Sequence, residues 1–411
     1  MSPLWACIYK ALFGVMLTSS AAIGPAMKTR QDEIEALRAE GASHVSKHNY
    51  RDSISCWNAL LRIEPMDTEA YIYRGIAYVG IQQLENAISD FTEALRLDPN
   101  SAWVYYNRGN AYRKKGDANL AIRDFTEALS RNPSMIEAYY NRGLAYEHLA
   151  QWDKAIADFS DAVRLDPTLD AAYYNRGYSH RKKGELRQAI EDITQALRLN
   201  PLLAPGYCDR GNIFREMGNW NEAVEDFTQA TSLDPTNAGA YYDRGRAYLG
   251  SEQWDRAIAD FIEAERIDPN AAGTYYYRGT AYLKQGEWHQ AASDYRKAIR
   301  LDPNYPLAYN NLAWLYATCP DPDIRDGEQA VRLAVKACEL TGWRTWCCIV
   351  TLAASYAEVR DFEQAIKYQK AVMDFTSLQG QQRLEASRLL NLYSRHEPYR
   401  EKPARHESET R

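Results

Sequence analysis

Apolar and small residues recur along most of the chain in paired helical stripes. In the segment YYNRGLAYEHLAQWDKAIADFSDAVRLDP, residues 139–167, Tyr139, Gly143 and Tyr146 follow an i, i+4, i+7 spacing. After a short polar stretch, a second stripe consists of an aromatic residue with an alanine on either side. Each stripe is typical of one amphipathic helix, and Pro167 cannot continue the second helix. The segment therefore predicts a helical hairpin that ends at Asp-Pro.

The same pattern returns every 34 residues. With residue 136 as position 1, Arg-Gly occupies positions 7 and 8, alanine position 20 and proline position 32 of successive units. A period of this length indicates a stack of hairpins, which we place within residues 27–380. The regular units are 68–101, 102–135, 136–169, 170–203, 204–237, 238–271 and 272–305. Weaker units are 34–67, 306–344, which carries the insertion CPDPDIRDGE, and 346–379.

The two ends of the chain differ from the repeats. Residues 381–395, QQRLEASRLLNLYSR, carry leucines at helical spacing and predict a helix that caps the stack. Residues 396–411 are rich in charge and predict a disordered tail. Residues 1–26 contain the apolar run ALFGVMLTSSAAIG behind Lys10, which resembles a signal peptide. An uncleaved anchor or a frayed terminus stays open as an alternative.

The 34-residue pattern resembles the tetratricopeptide repeat (TPR), in the form found in bacterial multi-repeat proteins, because alanine, tyrosine and proline stand where that family places them. The resemblance implies an all-α fold. It further implies a right-handed superhelical solenoid of about ten helix-turn-helix repeats with a C-terminal capping helix. We expect an exported or periplasmic protein if the signal is real and a cytoplasmic one otherwise, with membrane contact only if the N-terminal segment is retained.

Position 7 is usually apolar in that family, yet here it is arginine in seven consecutive units, and position 23 is aspartate in the same seven. Both positions lie equally far from the turn, so they face each other in an antiparallel hairpin. We expect a structural ion pair inside each unit, since a carboxylate removes the cost of an unpaired guanidinium near the core. Common descent would copy both residues without contact, and anion capture by the arginines is a third interpretation. The expected pairs are Arg74 and Asp90, Arg108 and Asp124, Arg142 and Asp158, Arg176 and Asp192, Arg210 and Asp226, Arg244 and Asp260, and Arg278 and Asp294.

The resemblance also implies a binding groove. In TPR proteins the first helices of the hairpins line a concave face, chiefly through positions 2, 5, 9, 12 and 13. Here these positions predict an aromatic and polar wall with a basic edge, suited to an extended peptide. Alternatively, the tyrosines at position 5 pack against the preceding unit. The predicted groove residues are Tyr106, Asn110, Arg113, Tyr140, Tyr174, Tyr178, Arg181, Arg215, Tyr242, Arg246 and Tyr276.

Composition and motifs argue against other classes of function. With a formal charge of −6, the chain lacks the positive field that binds nucleic acid, and we expect neither a nucleic-acid partner nor a small-molecule substrate. The seven histidines form no H-E-x-x-H motif, and no G-x-S-x-G or phosphate-loop motif occurs, so no enzyme activity and no cofactor are expected. The seven cysteines form no C-x-x-C motif, which argues against a metal site and favours buried free thiols.

Two hypotheses follow. The first is a non-catalytic scaffold that binds a protein or peptide segment in the concave groove. The second is a structural or assembly subunit that self-associates through its ends or its convex face, with contacts near Leu389 and Leu390 in the terminal helix.

Overall fold

The computed structural model describes residues 30–401, and that range is helical without strands, which confirms the all-α prediction. The first twenty helices pair into antiparallel hairpins, and α21 follows alone. The proposed signal at residues 1–26 lies outside the described residues, and the right-handed superhelical twist stays a prediction. The helices are α1 Arg30–Ser46, α2 Tyr50–Ile63, α3 Thr68–Gly80, α4 Leu84–Leu97, α5 Ala102–Lys115, α6 Ala118–Arg131, α7 Ile136–His148, α8 Trp152–Leu165, α9 Asp170–Lys182, α10 Leu186–Leu199, α11 Ala204–Glu216, α12 Trp220–Leu233, α13 Ala238–Gly250, α14 Trp254–Ile267, α15 Ala272–Gln285, α16 Trp288–Leu301, α17 Pro306–Thr318, α18 Gly327–Leu340, α19 Trp346–Glu358, α20 Phe362–Met373 and α21 Gly380–Ser394.

The Asp-Pro dipeptide ends the second helix of a hairpin as the sequence predicts. After α4, the backbone N–H of Asp98 donates to the carbonyl of Ala94, and the Asp98 carboxylate accepts from the N–H of Asn100 at 3.0 Å. Proline at the next residue has no N–H to extend the helix. Within a hairpin the turn uses a left-handed residue, such as Gly116 with φ of 95°.

The chain divides into two compact units, and the first, up to Leu165, contains α1–α8. Its hairpins close where the ring at position 24 lies against the glycine at position 8. A Cβ atom added to Gly143 would lie 2.7 Å from Cε1 of Phe159, so only glycine leaves room for this ring. Phe159 is fully buried, as are Ala155 and Ala162 one turn to either side. Small residues therefore let the two helices approach and the ring fills the remaining space.

The second unit, Asp166–Arg411, contains α9–α21. Its last seven helices, α15–α21, share a continuous core that includes Leu312, Leu352 and Tyr393, each at most 2% exposed. The insertion between α17 and α18 is tied down by Arg325, which donates to the carbonyl of Cys319 at 2.8 Å and pairs with Glu358 at 3.2 Å. The predicted cap corresponds to α21, which buries Ala386, Leu389 and Tyr393.

The predicted disordered tail is wrong for its first six residues, 396–401. The ring of Tyr399 packs on Trp314, with centroids 5.7 Å apart, and Arg400 pairs with Glu358 at 2.6 Å. The N–H of Glu401 donates to the carbonyl of Thr318 at 2.9 Å, and its carboxylate accepts from Trp314 Nε1 at 3.3 Å. Charge alone suggested disorder, but one aromatic ring and three specific polar contacts fix this segment.

The six described cysteines are free thiols: Cys319, Cys338 and Cys348 are buried, and Cys56, Cys208 and Cys347 are half-buried. Within residues 30–401, no helix has both the length and the apolar character needed to cross a membrane.

Candidate functional site

The arginine at position 7 reaches the aspartate at position 23 of its own hairpin through two parallel hydrogen bonds. Arg142 Nε donates to Asp158 Oδ2 at 2.8 Å, and Arg142 Nη2 donates to Asp158 Oδ1 at 2.7 Å. The Asp158 side chain is 5% exposed and that of Arg142 is 17% exposed. Since both carboxylate oxygens accept from the guanidinium, these arginines are held by their aspartates and are poorly placed to capture an anion. The same two-point contact joins Arg74 to Asp90, Arg108 to Asp124, Arg176 to Asp192, Arg210 to Asp226, Arg244 to Asp260 and Arg278 to Asp294.

Burial makes these pairs costly as well as specific. Desolvation raises the pKa of Asp158, and the hydrogen bond and charge of Arg142 only partly oppose it. The guanidinium carbon of Arg142 also lies 5.7 Å from the centre of the Tyr139 ring, a distance typical of a cation–π contact. Such a pair adds little net stability compared with apolar side chains, but removing one partner leaves an uncompensated buried charge.

The remaining guanidinium nitrogen links neighbouring hairpins, a contact that the sequence analysis missed. Arg142 Nη1 donates to Thr126 Oγ1, at position 25 of the preceding unit, at 3.0 Å. In the unit before Arg278, position 25 is Ile262, and Arg278 bonds to Glu265 instead. Threonine recurring at position 25 beside the arginine block was the available signal. The equivalent contacts are Arg74 to Asn58, Arg108 to Thr92, Arg210 to Thr194 and Arg244 to Thr228.

The tyrosines at position 5 in the first compact unit, Tyr106 and Tyr140, contact their own hairpins. The ring of Tyr106 lies against Phe125 of its own hairpin, with centroids 6.0 Å apart, and its hydroxyl accepts from Asn141 of the following hairpin at 3.3 Å. The ring of Tyr140 lies in the same way against Phe159, at 5.8 Å. The contacts of these two rings thus lie within their own unit, and the Tyr106 hydroxyl faces the next unit.

In the second unit, Asp209 joins two of the predicted groove residues. The hydroxyl of Tyr174 donates to Asp209 Oδ2 at 2.6 Å, and Arg181 Nη1 donates to Asp209 Oδ1 at 3.0 Å. Arg181 Nη2 also donates to Glu216 at 2.6 Å. Burial, and then the bond to Asp209, raise the pKa of Tyr174, so its phenol stays a donor at neutral pH. The predicted basic edge is wrong here, because two acidic side chains neutralise Arg181.

A second group of the same kind surrounds Asp243. Arg246 and Arg215 lie 3.5 Å and 3.9 Å from Asp243 Oδ1. The Arg246 guanidinium also covers two rings, at 5.4 Å from the centre of Tyr242 and 4.8 Å from that of Tyr277. Burial and the charge of Arg246 lower the pKa of Arg215. Cations, carboxylates and rings therefore alternate along the first helices.

The other predicted groove residues are less uniform. Tyr276 is only 9% exposed, and its hydroxyl accepts from Asn311 at 3.2 Å, so its assignment to an accessible groove wall is wrong. Tyr178 is half-buried, with Lys182 Nζ 5.0 Å from the centre of its ring. In the first unit, Asn110 and Arg113 are half-buried on α5, the helix that also carries Tyr106.

Position 6 supplies the main contacts of this site that the sequence analysis overlooked. It supplies Asn141, Asp209 and Asn311, the partners of the position 5 tyrosines in the preceding hairpins. The signal was a polar side chain at this position in six of the seven units that begin between 102 and 306, which are Asn107, Asn141, Asn175, Asp209, Asp243 and Asn311. We call the side of α9, α11 and α13 that carries this network the first-helix face. Its residues are Tyr174, Tyr178, Arg181, Asp209, Arg215, Glu216, Tyr242, Asp243 and Arg246.

Comparison with known proteins identifies the repeat. A family model described as TPR repeat matches residues 78–116, 211–251, 245–286 and 279–318, and models described as Tetratricopeptide repeat match residues 106–170 and 171–201. A comparison with curated proteins finds no significant match.

Several solved structures are similar. The C-terminal part of a TPR repeat-containing protein from Cytophaga hutchinsonii has a TM-score of 0.50 at 20% identity, covering 60% of this chain and 99% of that one. A tetratricopeptide repeat protein from Parabacteroides merdae has a TM-score of 0.45 at 24% identity, covering 59% and 95%. Yeast Tom70 has a TM-score of 0.41 at 17% identity, covering 89% and 96%.

Proposed function

Because the chain belongs to the tetratricopeptide repeat family, we propose that it is a non-catalytic interaction scaffold that holds an extended protein segment along the first-helix face. The observation that carries this proposal is the network of half-buried tyrosines and polar side chains between successive first helices. Tyr174, Asp209 and Arg181 are already hydrogen-bonded to one another, so little ordering remains when a ligand arrives.

The charges of the first-helix face indicate the chemistry of the partner. Three arginines lie next to three carboxylates, so their positive and negative charges cancel locally. A strongly acidic peptide would have to compete with Asp209 and Asp243 for the arginines. Tyrosine offers a ring and a hydroxyl at low entropic cost. We therefore favour an extended segment with aromatic and uncharged polar side chains, which contacts rings and peptide groups together.

Site-specific photo-cross-linking tests this proposal. p-Benzoylphenylalanine would be placed at Tyr178 on the first-helix face and, as the matched control, at Ile262 on α14, which is 46% exposed. We expect a covalent adduct from position 178 in the native host, with one short segment of the partner attached, and only background from position 262. Equal adducts from both positions, or an adduct from position 262 alone, would contradict the proposal.

Self-association is the second candidate, and the end of the chain gives it some support. Leu384 is 66% exposed on α21, and Ala386 and Leu389 of the same helix line an apolar cleft with Trp346 and Val350. Leu389 itself is 3% exposed, so the sequence-based choice of this residue as an association contact is wrong, and Leu384 takes its place. Light scattering separates the two candidates. An oligomer that Leu384→Glu converts to monomer would support the self-association hypothesis. A monomeric native chain would contradict it and favour the scaffold hypothesis.

A further inference from the structure

The first hairpin, α1–α2, places three metal-ligating side chains together where the regular hairpins place an ion pair. Position 7 is Glu40, position 11 is His44 and position 23 is Cys56. The carboxylate, imidazole and thiol donor atoms all lie within 4.8 Å of one another. We propose that these three residues bind a divalent transition metal of the zinc class, with the remaining coordination position open.

The geometry suits such an ion. Glu40 and His44 lie one helical turn apart on α1, with His44 Nε2 3.7 Å from a Glu40 oxygen. Cys56 approaches from the facing helix α2. Zn²⁺ binds nitrogen and oxygen at about 2.0 to 2.2 Å and sulfur at about 2.3 Å, so its donors stand roughly 3.4 to 3.8 Å apart. Side-chain rotations that move the donor atoms by about 1 Å would bring them to that spacing.

One polar atom of the site has no hydrogen-bond partner among residues 30–401. His44 Nδ1 is buried and has no hydrogen-bond partner there, which is costly for an imidazole nitrogen. Cys56 is half-buried and forms no disulfide, so its thiol is available as a ligand. Glutamate, histidine and cysteine together supply oxygen, nitrogen and sulfur, a set that Zn²⁺ accepts.

The other hairpins show why the site is confined to the first. His180 also occupies position 11, and its Nε2 lies 3.8 Å from Asp192 at position 23, so the two positions are neighbours in that hairpin too. There, however, position 7 is Arg176, which holds Asp192 by two hydrogen bonds. A guanidinium beside the donors excludes a cation by charge. Replacing the arginine with Glu40 inverts that charge and adds a ligand.

Cobalt titration of the full chain tests the proposal. Co²⁺ bound to a thiolate in a tetrahedral site gives a near-ultraviolet charge-transfer band and intense visible absorption. We expect one equivalent of Co²⁺ to produce both, and Zn²⁺ to abolish them and to protect Cys56 from alkylation. Cys56→Ser and His44→Gln should each weaken Co²⁺ binding by at least about tenfold. Cys208→Ser, which removes a half-buried thiol of another hairpin, should leave the spectrum unchanged.

A designed reversal keeps the test decisive if single variants fold poorly. Glu40→Arg with Cys56→Asp installs the ion pair of the regular hairpins, so this variant should fold and lose the cobalt spectrum. Absence of cobalt–thiolate absorption in the native chain would overturn the proposal. So would a spectrum that survives Cys56→Ser or the double substitution.

Discussion

Replacing Arg142 by leucine is expected to lower the free energy of opening of the hairpin 136–165 by about 3 kcal/mol. The substitution leaves the Asp158 side chain, which is 5% exposed, without the guanidinium that binds both of its carboxylate oxygens. It also removes the contact of Arg142 with Thr126 in the preceding hairpin. Repeat proteins open unit by unit, so the effect should be measured as local opening by hydrogen exchange of α7 and α8.

Two further variants define the origin of that loss. Adding Asp158→Leu to Arg142→Leu should restore most of the opening free energy, because two apolar side chains replace a desolvated pair. Arg164→Leu should cause no measurable change, because Arg164 and Asp161 form an exposed pair at 2.8 Å, with side chains 64% and 40% exposed. If the losses of opening free energy from Arg142→Leu and Asp158→Leu were additive in the double variant, the contact between the two residues would not contribute to stability.

Replacing Phe159 by alanine is expected to cost about 3 to 5 kcal/mol in the same hairpin. The ring is fully buried between the two helices and lies directly over Gly143. Neither Gly143 nor the neighbouring alanines can extend into the space that the ring leaves, so a cavity remains. Hydrogen exchange of α7 and α8 measures this loss too, and the expected result is faster exchange in both helices.

The repeats themselves provide the controls for this prediction. The residue at the same position in the unit 170–203 is Ile193, an aliphatic side chain that is also fully buried and faces Gly177. Phe159→Ile should therefore lose much less stability than Phe159→Ala. Leu120→Ala, at a side chain 43% exposed on α6, should change little. Equal losses from Phe159→Ile and Phe159→Ala would mean that the ring makes a contact other than filling space.

Features internal to one hairpin were accessible from the sequence because the chain contains many copies of it. Seven copies of Arg at position 7 and Asp at position 23 fixed the facing register without any structure. Glycine at position 8 and the ring at position 24 set the distance between the two helices in the same way. Periodicity, together with proline at position 32, therefore gave the order of the hairpins and the ends of their second helices.

Contacts between hairpins were not accessible in this way. The bonds from Tyr174 to Asp209 and from Arg142 to Thr126 depend on how far one hairpin is displaced from the next. The repeat period gives the number of residues per hairpin but does not specify how far one hairpin is displaced from the next. The ordered segment at residues 396–401 was missed for a related reason, since Tyr399 finds its partner Trp314 far back in the chain.

The proposed metal site shows a further limit of motif reading. A search for C-x-x-C finds ligands that are close in sequence, whereas Cys56 lies on the helix that faces Glu40 and His44. Comparing positions 7 and 23 among the repeats would have found the site, because the first unit carries Glu40 and Cys56 where the seven regular units carry arginine and aspartate.

The central claim is that the first-helix face holds the partner, and hydrogen exchange with the cross-linked segment as ligand tests it most directly. At saturation we expect slower exchange in α9, α11 and α13, the helices that carry Tyr174, Asp209 and Arg246. The second helices α10, α12 and α14 should be unchanged. Protection confined to those second helices or to α21, with α9, α11 and α13 unaffected, would contradict the claim.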